Sequence, residues 1–187
     1  MRGADSPASQ ASCSTLKDFL TRNAQSWRYE GPVTAEGTEM PEPPKAELIS
    51  LSDEEQGVTV RILRAENFSG GGQDDTLHAE ITVSSGFVNG RANLYLNSYD
   101  LDSWTAVLDT VESGRAASWL ESGRSPRITI SPAAISDSGC TEVSVHDVTA
   151  SQIHVTVPIA APSDWIERHR ALLAAVRSRS PLTPDPL

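Results

Sequence analysis

From Leu48 onward the apolar residues fall into short runs, and Val58-Thr-Val-Arg-Ile62 alternates with period two, the pattern of a strand buried on one face. The clearest strand follows, with Leu77, Ala79, Ile81 and Val83 on one side and His78, Glu80, Thr82 and Ser84 on the other. Asn89-Gly90 suits the positive φ angles of a two-residue type I′ turn. That turn predicts Val88 opposite Arg91, Phe87 opposite Ala92, Val83 opposite Leu96 and Ser85 opposite Leu94, with Gly86 marking a bulge. A helix is expected next, capped by Ser98 or Asp100, carrying Leu101, Trp104, Leu108 and Val111 on one stripe and ending at Gly114. Trp119-Leu120 reads as an apolar anchor in a connecting turn, and Arg127–Ile130 as a strand closed by Pro132. Val143–Val145 and Ile153–Ile159 predict a second hairpin. The last helix opens at Asp164, with Glu167 as its reciprocal capping partner, and buries Ile166, His169, Leu172, Leu173 and Val176.

Four strands, a helix, three strands and a helix, joined mostly at hairpin length, predict an α+β fold. The simplest arrangement is a predominantly antiparallel sheet of about six or seven strands with two helices packed on one face. Trp104 and Trp165 are expected as core anchors, and no internal repeat is visible. Residues 1–46 read as an N-terminal extension lacking a core pattern, apart from Leu16, Phe19 and Leu20 on one short helical face; 47–178 form the single domain, and 179–187 a proline-rich flexible tail. Met1 and Met40 are the only methionines, and Glu36-Gly37 must be encoded by a purine run of ribosome-binding type. The expectation is that translation starts at Met40.

Composition narrows the partners. Fifteen Lys and Arg against twenty-five Asp and Glu leave a formal charge of -10, which opposes nucleic-acid binding and would steer a basic protein partner inward. No stretch approaches the roughly 20 apolar residues of a membrane-spanning helix, and no signal peptide is visible, so no membrane partner is expected. Cys13 and Cys140, the only cysteines, suggest no disulfide framework and fit a reducing cytoplasm.

Nucleotide-binding, metalloprotease, nucleophile-elbow and EF-hand motifs are all missing, so no catalytic residue, cofactor or metal ligand is assigned. Gly70-Gly71-Gly72 is followed by Asp74 and Asp75, whose charges oppose phosphate; it reads as a flexible connection. His146-Asp147 lacks the further ligands of a metal phosphohydrolase. If Val145 faces Val155 and Val143 faces Val157, however, His146 stands directly opposite His154 on the outer face. Two imidazoles so placed could share a metal with His78 or Glu142, against the plainer reading of solvated histidines on a polar sheet. Asp137-Ser138-Gly139 reads as a turn, and Cys140 as a structural thiol.

From Glu47 to about Arg177 the chain resembles a family of small bacterial proteins known only as a domain of unknown function. The resemblance rests on Glu47–Leu51, Ala79–Val83 leading to Phe87–Arg91, Asp100–Trp104, and Trp165-Ile166 with His169. These positions bear the fold and bring no active site with them. The leading expectation is therefore a non-enzymatic cytoplasmic domain that binds a basic protein partner, for instance as an immunity-type antidote to a basic toxin. The alternative is a small-molecule or metal-binding module, or an enzyme, using the polar sheet face around His146 and His154.

Overall fold

A computed structural model describes residues 46–67, 75–121, 125–148, 150–180 and 182. The short helical face at 14–20, the glycine run at 70–72, the Met40 start and Cys13 therefore lie outside the described residues. Strands β1 (Ala46–Ser52), β2 (Gly57–Glu66), β3 (Thr76–Ser84) and β4 (Asn89–Leu96) are followed by helix α1 (Ser98–Glu112). Strands β5 (Ala117–Trp119), β6 (Arg127–Ser131), β7 (Thr141–His146) and β8 (His154–Ile159) are followed by helix α2 (Trp165–Arg179).

The strands do not share one sheet. They form two four-stranded antiparallel meanders, β1-β2-β3-β4 and β5-β6-β7-β8. Period-two patterning says which side chains face inward but not which strands share a ladder, and α1 takes the chain away from β4 before β5 starts the second sheet. Trp119, expected in a turn, ends the short β5, where it pairs with Ile128. Each meander is followed by a 15-residue helix, so the architecture repeats although the sequence does not.

The inward sets close one continuous core from both sheets and both helices. A register shift between Glu47 and Ile49 lets consecutive Leu48 and Ile49 both be fully buried. On α1 the expected stripe of Leu101, Trp104, Leu108 and Val111 is buried, with Val107 added. The cap is neither Ser98 nor a lone Asp100. Asn97 Oδ1 accepts the Asp100 N–H at 3.0 Å and Asp100 Oδ2 accepts the Asn97 N–H at 2.9 Å, a reciprocal box. Burial pushes the Asp100 carboxyl pKa up, and the Asn97 N–H offsets this in part. At the other end Gly114, at φ +83°, donates to the Val111 carbonyl while Arg115 donates to Thr110, the paired bonds of a Schellman stop.

The β3–β4 hairpin corrects the expected turn. Ser84 pairs with Asn89, Val83 with Gly90, Ile81 with Ala92 and Leu77 with Leu96. The chain reverses over Ser85–Val88, Gly86 lies in the turn rather than in a bulge, and neither Asn89 nor Gly90 has a positive φ. The Asn-Gly register would leave Leu77, Ala79 and Ile81 without partners on β4, whereas this one pairs all three. Both registers present the same residues to the core, because they differ by an even number.

Helix α2 packs along β1 and beside α1. Arg170 bonds Asp109 and Glu112, and Arg177 bonds Asp102, tying the two helices together. The Asp164–Glu167 capping pair does not form: Asp164 makes no side-chain cap and instead accepts from Arg168 Nε at 2.8 Å. Trp165, His169, Leu173 and Val176 are buried, while Ile166 and Leu172 are half-buried. The sheets are also joined through Asp53. Its Oδ1 accepts the Glu55 and Gln56 N–H groups in the β1–β2 turn, and its Oδ2 accepts the Ala160 N–H at 2.9 Å beyond β8.

Candidate functional site

Two surfaces of the second sheet stand out, one on each face of the β7–β8 hairpin. Alternation places Ile128, Ile130, Val143, Val145, Val157 and Ile159 inward. The residues between them form rows across the outer face. The first row is Arg127, His146 and His154; the second is Thr129, Ser144 and Thr156; the third is Ser131, Glu142 and Pro158.

The expected register of this hairpin holds: Val145 pairs with Val155, Val143 with Val157, and His146 with His154. The two imidazole centroids lie 5.3 Å apart at 36°. In the second row Ser144 and Thr156 share a hydroxyl bond of 2.8 Å, and Thr129 shares another of 2.8 Å with Ser118 on β5.

The third metal ligand is not there. His78 belongs to the other sheet, where it is buried, stacks on Tyr95 at 5.1 Å and meets Asn93 Oδ1 at 3.3 Å. Glu142 is four residues from His146 on β7, about 13 Å along the strand. Among the described residues no group of three or more His, Cys, Asp or Glu is placed to hold a metal. Arg127 opposes one further. A dication on the two rings at about 8 Å from the guanidinium would be repelled by roughly 4 kcal/mol at an effective dielectric of about 20. Asp147 is used locally: its carboxylate accepts the Ala150 and Ser151 N–H groups and the Ser151 hydroxyl.

Arg127 is the member of the row that sequence reading missed. The alternation of Arg127–Ile130 marks it as outward-facing, but its place opposite His146 requires the β6–β7 register. The nine-residue connection between Ser131 and Thr141 leaves that register open. Arg61, Arg64, Arg168, Arg170 and Arg177 each meet a carboxylate. Among the described residues Arg127 meets none, and its buried Nε has no hydrogen-bond partner.

On the inner side, where the sheets diverge, lies a cleft of about 240 Å³. Ile81, Val83 and Ala92 line it from the first sheet; Val145 and Val155 line it from the second, with Ile153 just before β8. Arg91 and Asp147 stand at its rim. Ile153 is 60% exposed, and Phe87, beside the lining residue Val88, is 96% exposed. Ile153, itself a lining residue, carries the apolar lining onto the surface.

Asp137–Gly139 forms the expected turn, with Gly139 at φ +68° and Ser138 Oγ accepting the Cys140 N–H. Cys140 is buried but is disulfide-bonded, so it is not the structural thiol the sequence suggests. Disulfides belong to oxidising compartments, and the cysteine argument for a reducing cytoplasm falls with that correction. No helix among the described residues is long and apolar enough to cross a membrane.

A model of a family of unknown function, DUF5959, matches residues 46–181, a span that includes every described strand and helix. No curated protein and no solved structure matches the chain.

Proposed function

The chain belongs to this family of unknown function, and from that premise we propose that it is a non-enzymatic domain that binds a basic protein partner. The observation that carries the reading is the cleft between the sheets, with an apolar lining that continues onto exposed Ile153 and with the exposed Phe87 next in sequence to its lining residue Val88. An apolar centre with a polar rim is the usual anatomy of a protein-binding surface. Charge selects the partner. The formal charge is -10, and several arginines are already neutralised by carboxylates on their own surface, so a cationic partner is drawn in and an anionic one is repelled. Within this reading, a basic toxin domain held inactive by an acidic antidote is the specific form we favour.

The test is affinity capture with the wild-type chain and a Phe87→Ser/Ile153→Ser variant in parallel, followed by reconstitution of the purified captured protein. The expected partner is basic, is lost from the variant, and associates more slowly as salt rises. The reading fails if nothing is lost from the variant, or if the protein lost is acidic. Rescue of growth when the captured protein is co-expressed with this chain separates an antidote from a simple binder.

A further inference from the structure

We infer that Arg127, His146 and His154 form a binding row for the phosphate of a small phosphomonoester, on the face of the β7–β8 hairpin opposite the cleft. The three residues are consecutive partners across β6, β7 and β8. With strands about 4.8 Å apart, their side chains rise from three neighbouring points of one flat surface. All three present N–H donors, and no carboxylate occupies the row. Among the described strand residues of that face the acid is Glu142, two rows away beside Ser131, and Asp147 gives its oxygens to its own turn.

The guanidinium fork matches the oxygens of phosphate, and each imidazole adds an N–H donor beside it. Among the described residues the buried Nε–H of Arg127 has no hydrogen-bond partner and its guanidinium meets no carboxylate, while five other arginines of the same protein meet carboxylates. His146 and His154 contact each other by their rings. The guanidinium beside them disfavours a metal cation and favours an anion at the same place. The hydroxyl row of Thr129, Ser144 and Thr156 lies about 7 Å further along the strands. An ester with its phosphate on the first row extends its polar organic part over those hydroxyls, which makes an ester a better fit than the free ion.

The experiment is an NMR titration of the full chain at constant ionic strength, first with inorganic phosphate and then with glycerol 3-phosphate, reading the histidine rings. Saturable shifts are expected at His146 and His154 and not at buried His169, with the ester binding more tightly than the free ion. Arg127→Gln is expected to weaken phosphate binding roughly tenfold or more. Arg115→Gln, which removes one positive charge just beyond α1, where Arg115 Nε donates to Ser113, should leave it within about twofold. If Arg127→Gln loses its folded amide spectrum, Arg127→Lys, which retains the charge without the fork, is read in its place and should also bind more weakly. Unmoved or unsaturable His146 and His154 rings overturn the inference, as does equal weakening by Arg115→Gln. Saturation of the two rings by zinc chloride at one equivalent, with no response to phosphate, overturns it in favour of a metal.

Discussion

His169 can be buried at 2% exposure because both ring nitrogens have partners. Nδ1 donates to the Trp165 carbonyl at 2.6 Å, which leaves Nε2 as the acceptor for the Ser50 N–H at 3.0 Å. Ser50 lies on β1, an edge strand, so the imidazole completes a backbone donor that the ladder leaves open. Burial pushes the His169 pKa below histidine's ordinary value, and the Trp165 bond only partly offsets it. The native state therefore holds the neutral ring, while the unfolded chain takes up a proton below about pH 6.5. The stabilisation is complete above that pH and is lost as pH falls from there through the lower folded value. The thermal midpoint should decline as pH is lowered from 7 toward 5, and His169→Gln, less stable at pH 7, should show a flatter profile there. Parallel profiles would assign the acid sensitivity to other groups. The sequence placed His169 on the buried stripe of the last helix, but its bond to a strand more than a hundred residues away was not legible there.

At the scale of the element, the β3–β4 hairpin shows a turn being set by its strands. Asn89-Gly90 has the composition of a type I′ turn, yet full pairing of Leu77, Ala79 and Ile81 favours the longer ladder and moves the reversal to Ser85–Val88. Ser85 holds that reversal: its Oγ accepts the Val88 N–H at 2.8 Å and the Phe87 N–H at 3.2 Å. Ser85→Ala should therefore cost about 1 kcal/mol. Asn89→Val, in a position that needs no positive φ, should cost less, since a β-branched residue suits the start of a strand. Chemical denaturation of the two variants checks the order. A loss in Asn89→Val well beyond that in Asn89→Ala, which gives up the same bonds to Ser84 and Ser85, would restore the Asn-Gly turn.

At the scale of the molecule, Trp104 joins the parts. Its ring lies 5.2 Å from Trp119 of the second sheet and 6.2 Å from His169 of α2, and it is fully buried. Trp104→Ala should cost about 3 to 5 kcal/mol. Because one core spans both sheets, unfolding should remain a single transition, with fluorescence and far-ultraviolet circular dichroism coinciding. The indole Nε1 is buried and has no hydrogen-bond partner among the described residues, so Trp104→Phe should be much milder than the loss of volume alone implies. Two separate transitions in Trp104→Ala would mean that each four-stranded meander with its helix folds alone.

The order of elements apart from β5, their inward faces, both tryptophan anchors and the His146–His154 opposition were set by the sequence alone. Each rests on local periodicity, or on a hairpin whose two strands both carry strong alternation. What needed tertiary structure was every pairing that spans a long or weakly patterned connection: the division into two sheets, the place of Trp119 at the end of β5, and Arg127 beside His146. The cleft belongs there too, because its lining residues read as ordinary core positions. Ile81 and Val145 show the same alternation whether the sheets close over them or diverge. A side chain's periodicity records which way it points, but not how near the opposite sheet comes, and that distance is fixed only when both sheets and both helices pack together.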